Sequence, residues 1–236
     1  MSDSCSTKNG TTATSRHAND MRQTTTAPEA PVERHPLEPF LPEGAKVLML
    51  GSFPPPHKRW SVEFFYPNLQ NDMWRIFGHL FYKDKNAFVD TANKRFKKQA
   101  LVDFLTEKGI AIYDTACAVR RLQGNASDKF LEIVTPTDIS ALLNRIPQCK
   151  AIVTTGQKAT DTLCQLFSTT APPIGSGRRV CLNGRDLTFF RMPSSSRAYP
   201  LSLERKAEFY KSMLETVGIL NDLSPKRPDH EKTRTL

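Results

Sequence analysis

Lys46-Val47-Leu48-Met49-Leu50-Gly51-Ser52-Phe53-Pro54-Pro55-Pro56 is the stretch on which the fold turns. Four apolar residues in succession fit a strand buried on both faces, and the prolines after Gly51 forbid its continuation as helix or sheet. A strand of that kind needs helices above and below it. Toward the C-terminus, Trp74, Phe77, Leu80 and Phe81 recur at helical spacing behind Asn71 and Asp72, which predicts a helix starting near Asn71. Phe96, Leu101, Phe104 and Leu105 mark a second helix, stopped by Gly109 as a left-handed C-cap. Ile110-Ala111-Ile112-Tyr113 reads as the next strand, with Asp114 at its C-terminal end. Thr135-Pro136-Thr137-Asp138 reads as an N-cap, a proline at the first helical position and an acid in the first turn, opening a helix through Leu142, Leu143 and Ile146. Ala151–Thr154 is a third strand, Gly156 a turn, 158–167 a helix, and Gly175-Ser176-Gly177 a flexible turn. Leu187–Arg191 is a fourth strand, breaking at Met192-Pro193-Ser194-Ser195-Ser196. Residues 203–220 form an amphipathic helix carrying Phe209, Tyr210, Met213, Leu214 and Val217. Strands alternating with helices predict an α/β fold, a three-layer α/β/α sandwich around a central, mainly parallel sheet of four strands.

The chain of 236 residues is 39% apolar and 9% aromatic, with a formal charge of +9, 17 prolines and 11 glycines. Fibrous and disulfide-scaffold classes are excluded by that composition. Residues 1–36 are neutral, rich in Ser, Thr, Asn and Pro and without apolar periodicity, so they read as a disordered polar tail. Residues 223–236 carry Lys226, Arg227, Lys232 and Arg234 against Asp229 and Glu231, and read as a second, basic tail. A single domain is expected over 37–222, holding the remaining +7 of the +9, a balance that favours a polyanionic partner such as nucleic acid. No apolar run approaches the ~20 residues of a membrane span, and no signal-peptide pattern is present. An intracellular, cytoplasmic location and no membrane partner are expected. The five cysteines are far apart, without metal-ligand spacing, so reduced thiols and no metal are expected. His57, His79 and His230 are isolated.

Ligands of parallel α/β sheets bind beyond the carboxyl ends of the strands. That rule brings the Gly51–Pro56 loop, Asp114, the Thr155-Gly156 turn and the Pro193–Arg197 loop to one rim. Walker, dinucleotide-fingerprint, zinc-protease and nucleophile-elbow motifs are all missing. What the rim offers is a proline-stiffened loop, aromatics at Trp60, Phe64, Phe65 and Tyr66, and a carboxamide at Asn71. A flat aromatic face beside amides suits a nucleobase. Pro193-Ser194-Ser195-Ser196-Arg197 offers hydroxyls, backbone N–H groups and a cation, the equipment of a phosphate grip. Lys58 and Arg59 lie on the loop beside the pocket and are better DNA contacts than the lysine-rich Lys94-Arg95-Lys97-Lys98 run; Arg120-Arg121 is a further candidate for phosphate.

Gly51-Ser52-Phe53-Pro54, followed by aromatics and Asn71-Asp72-Met73-Trp74, resembles the first motif of the uracil-DNA glycosylase superfamily. The hypoxanthine-DNA glycosylase branch, with its G-S-F-P and N-x-F-W pattern, is the nearest. Gly109–Asp114 resembles the family strand that ends in Trp-Asp, Thr155–Ala159 the turn after the third strand, and Met192-Pro193-Ser194-Ser195-Ser196 the second, H-P-S-S-type motif. The resemblance spans roughly 44–218. It implies a monofunctional glycosylase that flips a deaminated base, uracil or hypoxanthine, out of DNA and hydrolyses its N-glycosidic bond in base-excision repair. It implies no cofactor, a damaged-DNA partner and a monomeric enzyme.

On that resemblance Asn71 positions the attacking water and Ser52 and Gly51 supply backbone donors to the departing base. Phe65 or Tyr66 stacks on the flipped base, Phe53 and Ser194 line its pocket, and Asp114 is a secondary water-positioning acid or a brace for the neighbouring loop. Ser195–Tyr199 becomes a wedge loop, with Ser195 and Ser196 on the backbone and Arg197 inserted into the duplex. Two positions depart from the family pattern: Phe53 stands where many branches carry Asp or Asn, and Met192 where the second motif begins with His or Asn. Those departures favour the alternative reading, an inactive or weak nucleic-acid- or nucleobase-binding module of the same fold.

Overall fold

The computed structural model describes residues 30–123 and 128–220. In chain order the elements are β1 (Val32–Arg34), β2 (Val47–Gly51), α1 (Met73–Tyr82), β3 (Val89–Asp90), β4 (Arg95–Phe96), α2 (Lys98–Lys108), β5 (Ile110–Asp114), β6 (Ala116–Arg121), β7 (Leu131–Pro136), α3 (Ile139–Arg145), β8 (Ala151–Thr155), α4 (Gln157–Leu166), β9 (Ser176–Leu182), β10 (Arg185–Met192) and α5 (Leu203–Thr216). β2, β5 and β8 are buried at every residue, as the continuous apolar runs require of strands covered on both faces. The central sheet runs β5-β2-β8-β10-β9, and its first four strands are parallel. Helices flank it: α2 packs by β5, α4 by β8, and α5 by β10 and α1. Trp74, Phe77, Phe104 and Tyr210 fill the space between them at no more than 2% exposure. Among the described residues no helix is long and apolar enough to cross a membrane.

The sheet has five strands rather than the four expected from sequence. β9 pairs antiparallel along the edge of β10, starting inside the Gly175-Ser176-Gly177 segment that read as a turn. Its side chains are half-buried or exposed throughout, so an edge strand of this kind leaves no apolar alternation to read. Gly177 is needed where a Cβ would run into the Phe190 ring and Thr188.

A second sheet, β1-β6-β7, is wholly antiparallel. β6 leaves β5 after a single residue, Thr115, whose N–H donates to Gly51 O at 2.9 Å. Val32–Arg34 pairs with Ala118–Arg120, so this end of the 1–36 segment is an ordered strand and not tail. Residues 1–29 and the 223–236 segment lie outside the described residues. Thr135 and Pro136 close β7 instead of opening a helix. Asp138 caps α3, its side chain accepting from Ala141 N at 2.9 Å, and Pro136 is tolerated because β7 is an edge strand. Arg121, read from sequence as a phosphate contact, is 9% exposed. It donates Nε and Nη2 to the two Glu33 oxygens at 3.1 Å each and Nη2 to Pro54 O, tying β1 to the first loop.

Candidate functional site

Beyond the carboxyl ends of β2, β5 and β8 lies a cavity of about 630 Å³. One wall begins at Gly51. A Cβ there would collide with Asp114 Oδ1 and reach within 3.7 Å of Tyr66 Oη. Glycine is therefore what lets the Asp114 carboxyl lie across the strand end. Asp114 is fixed from its other side by His35, whose Nε2 stands 2.9 Å from Oδ2. The His35 Nδ1 lies 2.8 Å from Leu37 O and 3.1 Å from Leu37 N, and its side chain is 2% exposed. Its ring packs against Tyr113 at 4.6 Å and edge-on to Phe53 at 5.3 Å. Phe53 joins Ala116, Val119 and Leu131 in a small apolar cluster under the second sheet while forming part of the cavity wall. Asp114 thus braces this part of the molecule as well as facing the cavity.

Phe65 and Tyr66 both line the cavity. Phe65 is 3% exposed, and its carbonyl accepts from Trp74 Nε1 at 3.1 Å. Tyr66 takes a positive φ of 47° and sets its hydroxyl 2.9 Å from Thr155 Oγ1. Burial, then the charge of Asp114, push that phenol well above its ordinary range, with a smaller push from Asp128. The hydroxyl therefore keeps its proton and is available as a donor or acceptor. Trp60 is turned away, its Nε1 donating to Pro55 O at 2.8 Å and its ring tilted on His57.

The opposite wall joins the start of α1 to the loop after β10. Asn71 pairs antiparallel with Ser196, Asp72 N donates to Ser195 O at 2.8 Å, and Arg197 N donates to Gln70 O at 3.2 Å. Asn71 Oδ1 accepts from Met73 N at 2.9 Å, so its carboxamide holds the helix start and lines the cavity at once. Behind it, Asp72 accepts from Arg197 Nε at 2.9 Å and from Lys206 Nζ at 3.0 Å. Lys206, on α5, is wholly buried and also donates to Ser196 O at 2.8 Å. Tyr210 Oη donates to Pro193 O at 3.0 Å. Ser194 Oγ accepts from Ser196 N at 3.3 Å.

The fold gathers Gly51, Ser52, Phe53, Arg59, Phe65, Tyr66, Asn71, Asp114, Ser194, Ser195, Ser196 and Arg197 around one cavity. Lys58 is exposed on the short turn His57–Arg59 and lies outside the lining. Met192 is 1% exposed and outside it too. Thr155 lines the cavity at the turn that the strand-end rule brings to the rim, whereas Asp128 in the lining and His35, Asp72 and Lys206 behind it escaped the sequence reading. Asp128 opens a short turn before β7. Burial, then the charge of Asp114, push its carboxyl up against the opposing pulls of Ser52, Arg121 and Lys158. Among the described residues no three His, Cys, Asp or Glu side chains gather as they would to hold a metal ion.

The cavity lies beyond the strand ends of a mainly parallel sheet, walled by the loop after β2 and the loop after β10, and likeness to a solved structure gives the fold as uracil-DNA-glycosylase-like. The chain is similar in structure to a candidate uracil DNA glycosylase from Methanosarcina acetivorans solved by solution NMR, with a TM-score of 0.50 and 22% identity over 79% of this chain and 99% of that one. No family model matches the sequence, and no curated protein does.

Proposed function

We propose that the protein is a DNA glycosylase that removes a deaminated base, uracil or hypoxanthine, and leaves an abasic site. The observation that carries this reading is the meeting, in one cavity, of the Phe65 and Tyr66 rings, the Asn71 carboxamide and the Gly51-Ser52 backbone. An extruded base needs a ring to stack on and donors for its edge. Hydrolysis needs an oriented water and fixed dipoles where negative charge develops on the leaving base. Asn71, locked by its own bond to Met73 N, holds that water at the sugar carbon. Ser52 and Gly51 present N–H groups to the base, and Asp114 helps to order the water.

Arg59, Lys58 and the Ser194–Arg197 loop engage the DNA backbone. The zipper between Asn71 and Ser196 and the buried Asp72–Lys206 pair keep that loop rigid enough to hold the gap left by the base. The half-exposed Arg197 is the residue placed to enter the duplex. In this reading the enzyme works inside the cell, as a monomer on one lesion, in base-excision repair.

A second reading, a binding module of the same fold without catalysis, is favoured by Phe53 and Met192, whose side chains pack into apolar clusters. Labelled oligonucleotides carrying one uracil or one hypoxanthine, cleaved with alkali after incubation, separate the two. The catalytic reading expects strand breaks that vanish in Asn71→Ala while DNA binding persists. Salt-sensitive binding without breaks would establish the binding module instead, and a fully active Asn71→Ala would remove Asn71 from the chemistry.

A further inference from the structure

Asp128 lines the cavity with Ser52, Tyr66 and Asp114, and the charges of Asp114, Arg121 and Lys158 act on its carboxyl. Arg59 and Lys129 also border the cavity. The carboxyl stands in the same cavity as Asn71, so one space holds both a water-orienting carboxamide and a second acid.

Phe53, next in the chain to Ser52, offers the cavity only an apolar ring. Asp114 has an oxygen committed to His35. Asp128 lines the same cavity as Gly51 and Ser52, to whose backbone the departing base is assigned above. We propose that Asp128 is the proton donor to the departing base, a role that rests on the glycosylase reading and deepens it.

Two carboxyls whose surroundings differ are the usual arrangement for acid–base work at one bond. The group's push upward keeps its proton available above the ordinary carboxylate range. In the step, the Asp128 proton moves to a basic ring nitrogen of the base. The bond between the sugar carbon and the base breaks, and its electron pair stays on the base, which departs neutral. Water held by Asn71 adds its oxygen to the oxocarbenium carbon. The surplus proton of that water returns to the Asp128 carboxylate, directly or through solvent, so no other reactant is consumed. Hypoxanthine has an imidazole nitrogen to accept the proton, whereas uracil has only carbonyl oxygens and leaves as an anion that backbone N–H groups stabilise. The donor therefore matters more for the purine.

The test is single-turnover excision by the full chain, from DNA carrying one hypoxanthine or one uracil, between pH 5 and pH 9. The wild type is expected to excise hypoxanthine at a rate that falls about tenfold per pH unit above the folded pKa of Asp128. Asp128→Asn is expected to be about 100-fold slower or worse on hypoxanthine and flat over that limb, with uracil excision changed less than about tenfold. Asp128→Glu should restore a falling profile, which a merely structural role would not do. The donor role is overturned if Asp128→Asn keeps the wild-type pH profile, if both bases suffer equally, or if uracil alone is excised and the variant leaves it unmoved. A wild type that excises neither base overturns the glycosylase reading, and the donor role with it.

Discussion

The two walls of the cavity are held in opposite ways. The wall formed by the ends of β2 and β5 and the turn before β7 carries two acids that line the cavity, Asp114, braced by His35, and Asp128. On the wall formed by α1 and the loop after β10, the carboxylate of Asp72 is turned inward onto the buried Lys206 and onto Arg197, and the backbone makes the joint. The difference teaches a division of labour. One wall lines the cavity with acids, and the other commits its charges to rigidity. Substitutions in the second wall should lower stability, and substitutions in the first should lower activity beyond their effect on stability.

The sharpest attempt to break that comparison is Lys206→Met. Removing one partner leaves Asp72 buried with only Arg197 beside it, and breaking a buried pair costs about 3–5 kcal/mol. Urea unfolding should register that loss; a loss below about 1 kcal/mol would mean that the ion pair does not hold the second wall. Gly51→Ala comes next. The added methyl displaces the Asp114 carboxyl from the strand end, with an overpacking cost of about 1–3 kcal/mol. The excision rate should fall by more than that loss alone would cause, and a variant as active as the wild type would show that Asp114 need not lie across Gly51.

Thr155→Val removes the hydroxyl that meets Tyr66 while keeping the shape of the side chain. About 1 kcal/mol of stability should go with that bond, together with weaker retention of a stacked base in fluorescence titrations of abasic or base-analogue DNA. An unchanged unfolding midpoint would separate Tyr66 from its support.

The smallest effect is a pH dependence. Asp128 is raised above its ordinary value, near 3.9 for an aspartate, so the folded state holds this proton more tightly than the unfolded state does. Stability from this group is fully present below that ordinary value and is lost as pH rises through the folded pKa. Asp128→Asn should therefore melt at a higher temperature than the wild type at pH 8 and at about the same temperature near pH 3. A variant less stable at pH 8 would reverse the sign.

How much of this was legible in the sequence follows from burial. β2, β5 and β8 announce themselves because a strand covered on both faces has to be apolar throughout. α1 and α2 were readable from helical spacing and from Gly109, which takes φ 65° as its C-cap. β1, β7 and β9 were not readable, since each is an edge with exposed charged residues. Their pairing is decided by long-range contacts that no local pattern encodes. The same holds for the site. Motif-bearing loops brought Gly51, Ser52, Asn71 and the serines to one rim, and the structure gathers them around one cavity. His35 was hidden in a polar segment, and only its pairing across β6 carries it to Asp114. Asp128 sat in a connection with no periodicity, and Lys206 looked like one more surface lysine on an amphipathic helix. Arg121 misled in the other direction, because a charged pair of arginines reads as surface until Glu33 is seen beside it.

The measurement that bears most directly on the cavity's role is detection of free base. The wild-type protein would be incubated with an oligonucleotide carrying a single hypoxanthine or uracil, and the small-molecule fraction analysed by mass spectrometry while the strand is tested for alkali lability. Release of the free base with an intact, alkali-labile strand, both lost in Asn71→Ala, is the expected result. A strand that is bound but keeps both of these bases would contradict it.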